Sequence, residues 1–151
     1  MQVWRLVKTK YAPGVFDGEG ARLYGARWNS PGTRVAYASS NSALAVLEVR
    51  VHLGSVVPMD RYALLTVEIP ERLIEVLPHD QWPRGWDAVP FGSASQRVGD
   101  RWLAGQRSVA LRVPSVHSGS DFNLLLNPAH TMSSRARVVA RRRYEFDSRL
   151  F

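Results

Sequence analysis

The chain has 151 residues, of which 45% are hydrophobic and 22% charged, a length and balance typical of one globular domain, so we expect residues 1–151 to form a single domain. It contains no cysteine, which excludes disulfide scaffolds, zinc ribbons and thiol nucleophiles. No stretch approaches the roughly 18 consecutive apolar residues that span a bilayer, and the first ten residues do not resemble a signal peptide. We therefore expect a cytoplasmic protein that does not contact a membrane.

Positive charge is concentrated near the C-terminus. Lysine and arginine number 20 against 13 acidic residues, for a net charge of +7, and 18 of the 20 are arginine. Six of these arginines fall in the last seventeen residues, beside only Glu145 and Asp147. Such a cluster attracts nucleic acid, anionic substrates or an acidic partner, and charge does not choose among them.

In the first half of the chain, alternation predicts a strand over 2–7. Residues 11–32 hold five of the eleven glycines and indicate a long loop, a feature that is more often functional than filler. A short strand is predicted over 34–39. A helix follows over 40–53, with Gly54 as its C-terminal cap, although the end of this segment also alternates as a strand does.

In the second half, strands are predicted over 61–69 and 108–113, a loop over 82–86 and a helix over 93–104. The final segment, 136–147, alternates and predicts a half-buried strand, whose buried face carries Val138, Ala140, Tyr144 and Phe146. Because strands outnumber helices and the two are not regularly interleaved, the fold class is predicted to be α+β.

Several familiar motifs are absent. Gly18-Glu19-Gly20 is not a dinucleotide fingerprint, since the third glycine position holds Leu23, and no P-loop lysine follows. The four histidines lack metal-ligand spacing. Glu48 and His52 share a helix face, but such a pair is more often a surface feature than a metal site, and no metal is expected.

Three polar residues have mainly small or apolar neighbours in the sequence, so each has either a structural or a functional role. Arg27, between small residues and Trp28, is either a loop arginine or a clamp for phosphate or carboxylate. Tyr37, among alanines in a strand, is either a core tyrosine or a platform for a flat ligand. Glu48 has mostly aliphatic neighbours on its helix, so it lies either on a solvated face or in a cleft.

The order and spacing of these residues resemble the RES domain family, the toxin half of RES–Xre toxin–antitoxin pairs. The resemblance runs along the whole chain, in blocks at Trp4-Arg5, Phe16–Arg22, Gly25-Ala26-Arg27-Trp28-Asn29, Tyr37–Ser40, Ala43–Val49, Ser93–Trp102, Val113–Ser115 and Leu126–His130. Two positions depart from the family pattern: Ala26 replaces a second glycine, and Asp121 replaces a glutamate before Asn123.

The resemblance implies a fold similar to the ADP-ribosyltransferase core, with a small split mixed sheet, and an enzyme that breaks the nicotinamide–ribose bond of NAD⁺. NAD⁺ would be the substrate, with no prosthetic group. The implied catalytic residues are Glu48, Arg27 and Tyr37. Arg5 and Ser93 would join Arg27 and Tyr37 in binding NAD⁺, while the roles of Ser115, Asn127 and His130 are left open.

The acceptor of ADP-ribose also stays open. Water would make the protein a glycohydrolase, inorganic phosphate a phosphorylase, and a protein side chain an ADP-ribosyltransferase. The family further implies an Xre-like antitoxin that covers the NAD⁺ cleft and itself binds the DNA, and a homodimer is a further possibility.

Two other classes of function compete with this interpretation. The positive charge and the arginines beside aromatic residues are compatible with a toxin that binds or cleaves nucleic acid. Against that class, the basic residues concentrate at one terminus, and no helix-turn-helix is evident. A non-catalytic interaction module, with Arg27 and Glu48 as a buried pair, is the other alternative.

Overall fold

The computed structural model describes residues 1–151 and contains seven strands and three α-helices, joined by loops and short 3₁₀ turns. The strands are β1 (Gln2–Lys8), β2 (Ala36–Ser39), β3 (Tyr62–Glu68), β4 (Ile74–Val76), β5 (Ala110–Pro114), β6 (Phe122–Leu126) and β7 (Arg137–Tyr144). The helices are α1 (Glu19–Tyr24), α2 (Ser42–Arg50) and α3 (Ser93–Gly105). None of them is long and apolar enough to cross a membrane.

All seven strands belong to one sheet with the order β4-β5-β6-β2-β1-β3-β7. The sheet is mixed, because β4 runs parallel to β5 while every other pair is antiparallel. Its middle is weak: β1 and β2 pair at a single position, Trp4 opposite Ser39. These two strands form no other pair, and residues of both line a cavity, so the sheet has a gap between its two halves. The expected α+β class and split mixed sheet are confirmed.

Both faces of the sheet are covered. Successive residues of β6 point to opposite faces: Leu124 belongs to an apolar cluster with Val3 and Val67, whereas Leu125 packs with Trp102 of α3. On the other half of the sheet, Leu6 and Leu64 pack with Ala45 of α2. The two helices thus hold the two halves of the sheet while leaving the gap between them open.

Most predicted elements are confirmed, with shifts at their ends. The strands over 2–7, 34–39, 61–69 and 108–113 are present, as are the helix over 93–104 and the loop over 82–86. The helix predicted over 40–53 is shorter. It begins after Asn41, whose side chain accepts a hydrogen bond from the Leu44 amide at 2.8 Å, and its C-cap is Val51 rather than Gly54.

The prediction of a loop over 11–32 was wrong in part, because this segment contains a 3₁₀ turn and α1. The carboxylate of Asp17 accepts a hydrogen bond from the Glu19 amide, and Gly18 adopts φ +66° at the N-cap of α1. A Cβ at Gly18 would lie 2.5 Å from the Val35 amide nitrogen. The glycines here therefore fold the chain closely around a helix.

The burial predicted for the C-terminal strand was also wrong. β7 is an edge strand, and Val138 and Ala140 are exposed along with its arginines. The pairing passes from Ala140 opposite Thr66 to Val138 opposite Val67, so Val139 is the extra residue of a bulge that breaks the alternation. Of the four residues on the predicted buried face, Tyr144, at the end of β7, is partly buried. Phe146 follows the strand and packs against Tyr62.

Candidate active site

A cavity of about 630 Å³ opens at the gap in the sheet. Its walls come from β1 and β2, the segment through α1 to Trp28, α2, and the residues around the β5–β6 connection. Four of the five predicted site residues line it, namely Arg5, Arg27, Tyr37 and Glu48. They come from four different elements, so only the fold brings them together.

Arg5 bridges the gap between the two halves of the sheet. Its Nη1 donates to the carbonyl oxygen of Tyr37, which lies beyond the last paired position of β1 and β2. Its Nε is buried and has no hydrogen-bond partner, and burial lowers the pKa of Arg5 to about 10. A buried guanidinium with an unused donor favours an anionic ligand.

Arg27 lies on the segment that leaves α1. Its Nη1 donates to the carbonyl oxygens of Trp86 at 2.6 Å and Ala88 at 2.9 Å. Burial lowers the pKa of Arg27, and the nearby carboxylates of Glu48 and Asp87 oppose that shift. The guanidinium is therefore fixed by backbone carbonyls, which orient it without neutralising its charge.

Tyr37 lines the cavity, and protein groups hold its hydroxyl. The hydroxyl donates to Oδ1 of Asn29 at 2.8 Å and accepts from the Trp28 amide at 3.3 Å. Burial raises the pKa of Tyr37. The ring is thus a rigid, neutral surface of the kind that packs against a flat ligand.

The carboxylate of Glu48 in α2 accepts hydrogen bonds from residues on the β5–β6 half of the sheet. Its Oε1 accepts from Nδ2 of Asn123 at 2.6 Å and from Oγ of Ser115 at 3.3 Å. Its Oε2 lies 3.6 Å from Nε2 of His117. One carboxylate oxygen is thus held by protein donors, while the other faces the cavity beside a histidine.

Asn123 and His117 are the site residues that the sequence did not single out. Asn123 is oriented by Ser39, whose hydroxyl donates to its Oδ1 at 2.9 Å, and His117 lies near Ser115, whose Oγ accepts from the His117 amide at 3.1 Å. Asn123 lies in β6 and His117 in the connection between β5 and β6, and both are far from Glu48 in sequence. The nearest signals were the block of resemblance at Val113–Ser115 and the departure from the family pattern at Asp121, before Asn123.

The structure places Ser93 at the first residue of α3, outside the cavity lining, where its Oγ accepts from Nη1 of Arg97 at 2.6 Å. Asn127 and His130 also lie outside the cavity lining and form a turn, in which the Asn127 carbonyl accepts from the His130 amide. Ser115 is the one residue of undecided role that contacts Glu48.

Of the two residues that depart from the family pattern, Ala26 lies at the cavity and Asp121 lies outside its lining. Ala26 lines the cavity, and its carbonyl accepts from Nε2 of Gln96 at 3.1 Å. Asp121 accepts from Nδ2 of Asn41 at 2.9 Å and so ties the start of α2 to the strand that carries Asn123. Its contacts support the site without touching Glu48.

The cavity therefore combines two cations, the Glu48 carboxylate held by neutral donors, and a fixed aromatic ring. The carboxylates of Asp17 and Glu19 also line it, and Glu19 is paired with Arg22 and Arg34. His52 lines the same cavity as Glu48, and no group of three or more His, Asp or Glu side chains is arranged to hold a metal ion. This combination is suited to binding an elongated anionic ligand and stabilising positive charge next to a carboxylate.

Known proteins resemble the chain in sequence and in structure. The RES domain matches residues 2–147. "Toxin Res" of Photorhabdus laumondii is 36% identical over 99% of this chain and 97% of its own length. The "Prs ADP-ribosylating toxin" of a Sphingobium species is 38% identical over 97% of this chain and 94% of its own length.

Among solved structures, the Mycobacterium tuberculosis MbcT–MbcA toxin–antitoxin complex contains a chain that superposes with a TM-score of 0.70. The match covers 95% of this chain and 84% of that one at 18% identity, and it shows likeness of fold alone. The sequence match, by contrast, spans nearly the entire chain and includes the elements that carry Arg5, Arg27, Tyr37 and Glu48. Both of these full-length relatives are named as toxins, and the chain belongs to the RES domain family.

Proposed function

We propose that the protein is the toxin of a toxin–antitoxin pair and that it cleaves the bond between nicotinamide and ribose in NAD⁺. NAD⁺ is the consumed substrate in this proposal, and no prosthetic group takes part. The observation that carries the proposal is the meeting of Arg5, Arg27, Tyr37 and Glu48 in one cavity of about 630 Å³. A dinucleotide offers two phosphates to the cations, a ring to the tyrosine and a ribose to the carboxylate.

The reaction suits a site whose central group is a carboxylate, because it does not require a general acid. Nicotinamide leaves as a neutral molecule from a pyridinium, so its departure requires no proton, while positive charge grows at the anomeric carbon. Glu48 stabilises that charge and accepts hydrogen bonds from the ribose hydroxyls. Asn123 and Ser115 hold the carboxylate in place beforehand, which is the preorganisation that electrostatic catalysis requires.

The remaining residues orient the substrate. The buried, unpartnered Nε of Arg5 supports binding of the pyrophosphate, as does the guanidinium of Arg27, which backbone carbonyls hold in place. The ring of Tyr37 stacks on nicotinamide. Ser93 stays a predicted binding residue, but its position outside the cavity lining gives that role no support.

Two fates of the ADP-ribose are distinguished by the acceptor. Transfer to water or inorganic phosphate makes the protein a glycohydrolase or a phosphorylase, and this is the proposal. Transfer to a protein side chain is the second candidate, and it is favoured by one observation: the relative named "Prs ADP-ribosylating toxin" is 38% identical over nearly the full length.

An antitoxin partner is part of the proposal, since unrestrained consumption of NAD⁺ would harm the host cell. The fold likeness to a chain of a toxin–antitoxin complex supports it. We propose an Xre-like antitoxin that covers the cavity in the cytoplasm, where NAD⁺ is available, and that carries the DNA-binding function. A homodimer of the toxin is compatible with this arrangement.

The test is to incubate the purified protein with NAD⁺ in water alone, with inorganic phosphate, and with a cell extract, and to follow nicotinamide and the fate of ADP-ribose. Free ADP-ribose would identify water as the acceptor, ADP-ribose 1-phosphate would identify phosphate, and protein that carries ADP-ribose would identify a protein side chain. The absence of nicotinamide in all three mixtures would overturn the proposal.

A nucleic-acid-directed toxin is tested separately. The arginines of β7 are exposed and lie outside the cavity lining, so they would carry such an activity if there were one. Binding to DNA or RNA that falls steeply with salt, in the absence of NAD⁺ cleavage, would favour that alternative.

A further inference from the structure

Phe91 is an aromatic ring at the cavity that the proposed chemistry leaves without a role. It lies in the segment between the loop over 82–86 and α3, it lines the cavity, and it is 42% exposed. No other aromatic ring stacks on it, and the guanidinium carbon of Arg27 lies 5.7 Å from its ring centroid. A large, partly exposed apolar ring therefore lies at the cavity beside a cation.

The segment that carries Phe91 is held in place without a ligand. Arg27 donates to the carbonyl oxygens of Trp86 and Ala88. Trp86 in turn stacks on buried Trp28, with ring centroids 6.4 Å apart, and meets Trp82 edge-on at 5.1 Å. Because Trp28 follows Arg27 directly, the same short stretch fixes both the cation and the segment, so Phe91 has a set position relative to Arg27.

Phe91 and Glu48 line the same cavity as Arg27 but come from different elements. Glu48 is bound to the β5–β6 side through Ser115 and Asn123, whereas Phe91 enters from the residues before α3. The negative charge of Glu48 acts to raise the pKa of Arg27, and the guanidinium of Arg27 makes a cation–π contact with Phe91. Arg27 thus has a carboxylate and an aromatic ring near it. These are the groups that a dinucleotide would use if its phosphates bound Arg27, its nicotinamide ribose met Glu48 and its adenine met Phe91.

We propose that Phe91 forms the adenine subsite of the cavity, stacking on the base of an adenine nucleotide whose phosphates bind Arg27. The inference rests on the proposed NAD⁺ chemistry and adds the residue that recognises the end of the substrate remote from the reaction. An aromatic side chain can stack on the π-face of a base, and the guanidinium of Arg27 can make a cation–π contact with an aromatic ring beside it. In this proposal Phe91 is a binding residue, so its removal should raise the KM for NAD⁺ and leave kcat unchanged.

The experiment compares the binding of AMP, ADP-ribose and ribose 5-phosphate by calorimetry, since none of the three carries the bond that the enzyme would cleave. Phe91→Ala is expected to weaken AMP and ADP-ribose about tenfold, the change that about 1.4 kcal/mol corresponds to. Ribose 5-phosphate, which has no base, should bind Phe91→Ala and the unmodified protein alike. In the NAD⁺ assay, the loss should appear in KM.

Two variants keep the result interpretable. Phe91→Trp retains an aromatic face and should restore most of the AMP affinity that Phe91→Ala loses. Val89→Ala is the matched control, since Val89 belongs to the same segment and is 83% exposed but does not line the cavity. It should bind all three ligands as the unmodified protein does.

The inference is overturned if Phe91→Ala binds AMP as tightly as Val89→Ala does. It is also overturned if Phe91→Ala weakens the binding of ribose 5-phosphate as much as that of AMP, because Phe91 would then act through the position of Arg27. If the unmodified protein neither binds ADP-ribose nor cleaves NAD⁺, the proposed function itself fails.

Discussion

At the scale of single residues, the charge of Glu48 is central. Glu48→Gln preserves the shape of the side chain but removes the negative charge that would face the anomeric carbon. We expect nicotinamide release to fall about 10²–10³-fold, the usual cost of removing one electrostatic contact to a transition state, with little change in thermal stability. The measurement is the initial rate of nicotinamide release beside a thermal unfolding curve. Glu71→Gln, whose side chain is 80% exposed, is the control, and a Glu48→Gln enzyme at full rate would contradict the assigned role.

The buried charge of Arg5, which we assign to ligand binding, lowers the stability of the folded protein. Because burial lowers the pKa of Arg5 to about 10, the unfolded chain holds this proton more tightly than the folded chain does, and the charge disfavours folding at neutral pH. Arg5→Met should therefore leave the free protein at least as stable in urea while sharply weakening ADP-ribose binding. A large loss of stability would show instead that Arg5 holds the two halves of the sheet together.

The candidate site was predictable in part at this scale. Arg27, Tyr37 and Glu48 could be found because each stands out in its local sequence and because the blocks around them match a family. Asn123 and His117 could not, since they meet Glu48 only through the pairing of β6 with β2 and β5, which is a long-range property. Ser93 is a different case: a matching block indicated it as a binding residue, and the structure places it outside the cavity lining, in contact with Arg97.

At the scale of elements, α3 depends on a glycine. A Cβ at Gly99 would lie 1.7 Å from the carbonyl oxygen of Trp28, so α3 approaches the Arg27–Trp28 segment as closely as it does only with glycine there. Gly99→Ala should destabilise the fold by about 1–3 kcal/mol through overpacking. Gly20→Ala in α1, where no atom lies within 4 Å of the new Cβ, should instead stabilise it by up to about 1 kcal/mol. Urea unfolding of both variants tests the contrast, and equal effects would contradict it.

The elements themselves show which patterns in a sequence determine structure locally. The apolar residues of β1 and β3 and the helical spacing in α3 predict those elements. The two strands bury residues on both faces, since Val3 and Leu6 belong to different apolar clusters and residues 62–65 are all buried. In contrast, α3 packs one face, with Trp102 and Leu103, against the core. The exposure of β7 was not predicted, because the sequence does not reveal the bulge at Val139, which interrupts the alternation, or the position of β7 at the edge of the sheet. α1 was missed because glycines at its ends, which are typical of loops, serve as the turns on either side of a short helix.

At the scale of the whole molecule, the cavity lies where the two halves of the sheet meet at one pair of residues. A ligand that contacts Arg5 and Arg27 would hold these halves together, and a ligand that binds only the folded state stabilises it by mass action. At about a hundred times its dissociation constant, ADP-ribose should raise the melting temperature by about 5–10 °C. Arg27→Ala should abolish the shift at the same concentration, whereas an equal shift in that variant would place the ligand elsewhere.

The most direct measurement is the release of nicotinamide from NAD⁺ by the purified protein, with Glu48→Gln and Arg27→Ala assayed beside it at equal folded concentration. The proposed function predicts release by the unmodified protein and a loss of at least about a hundredfold in Glu48→Gln. No release by the unmodified protein, even with phosphate and a cell extract as sources of acceptor, would contradict the proposal that this cavity cleaves NAD⁺.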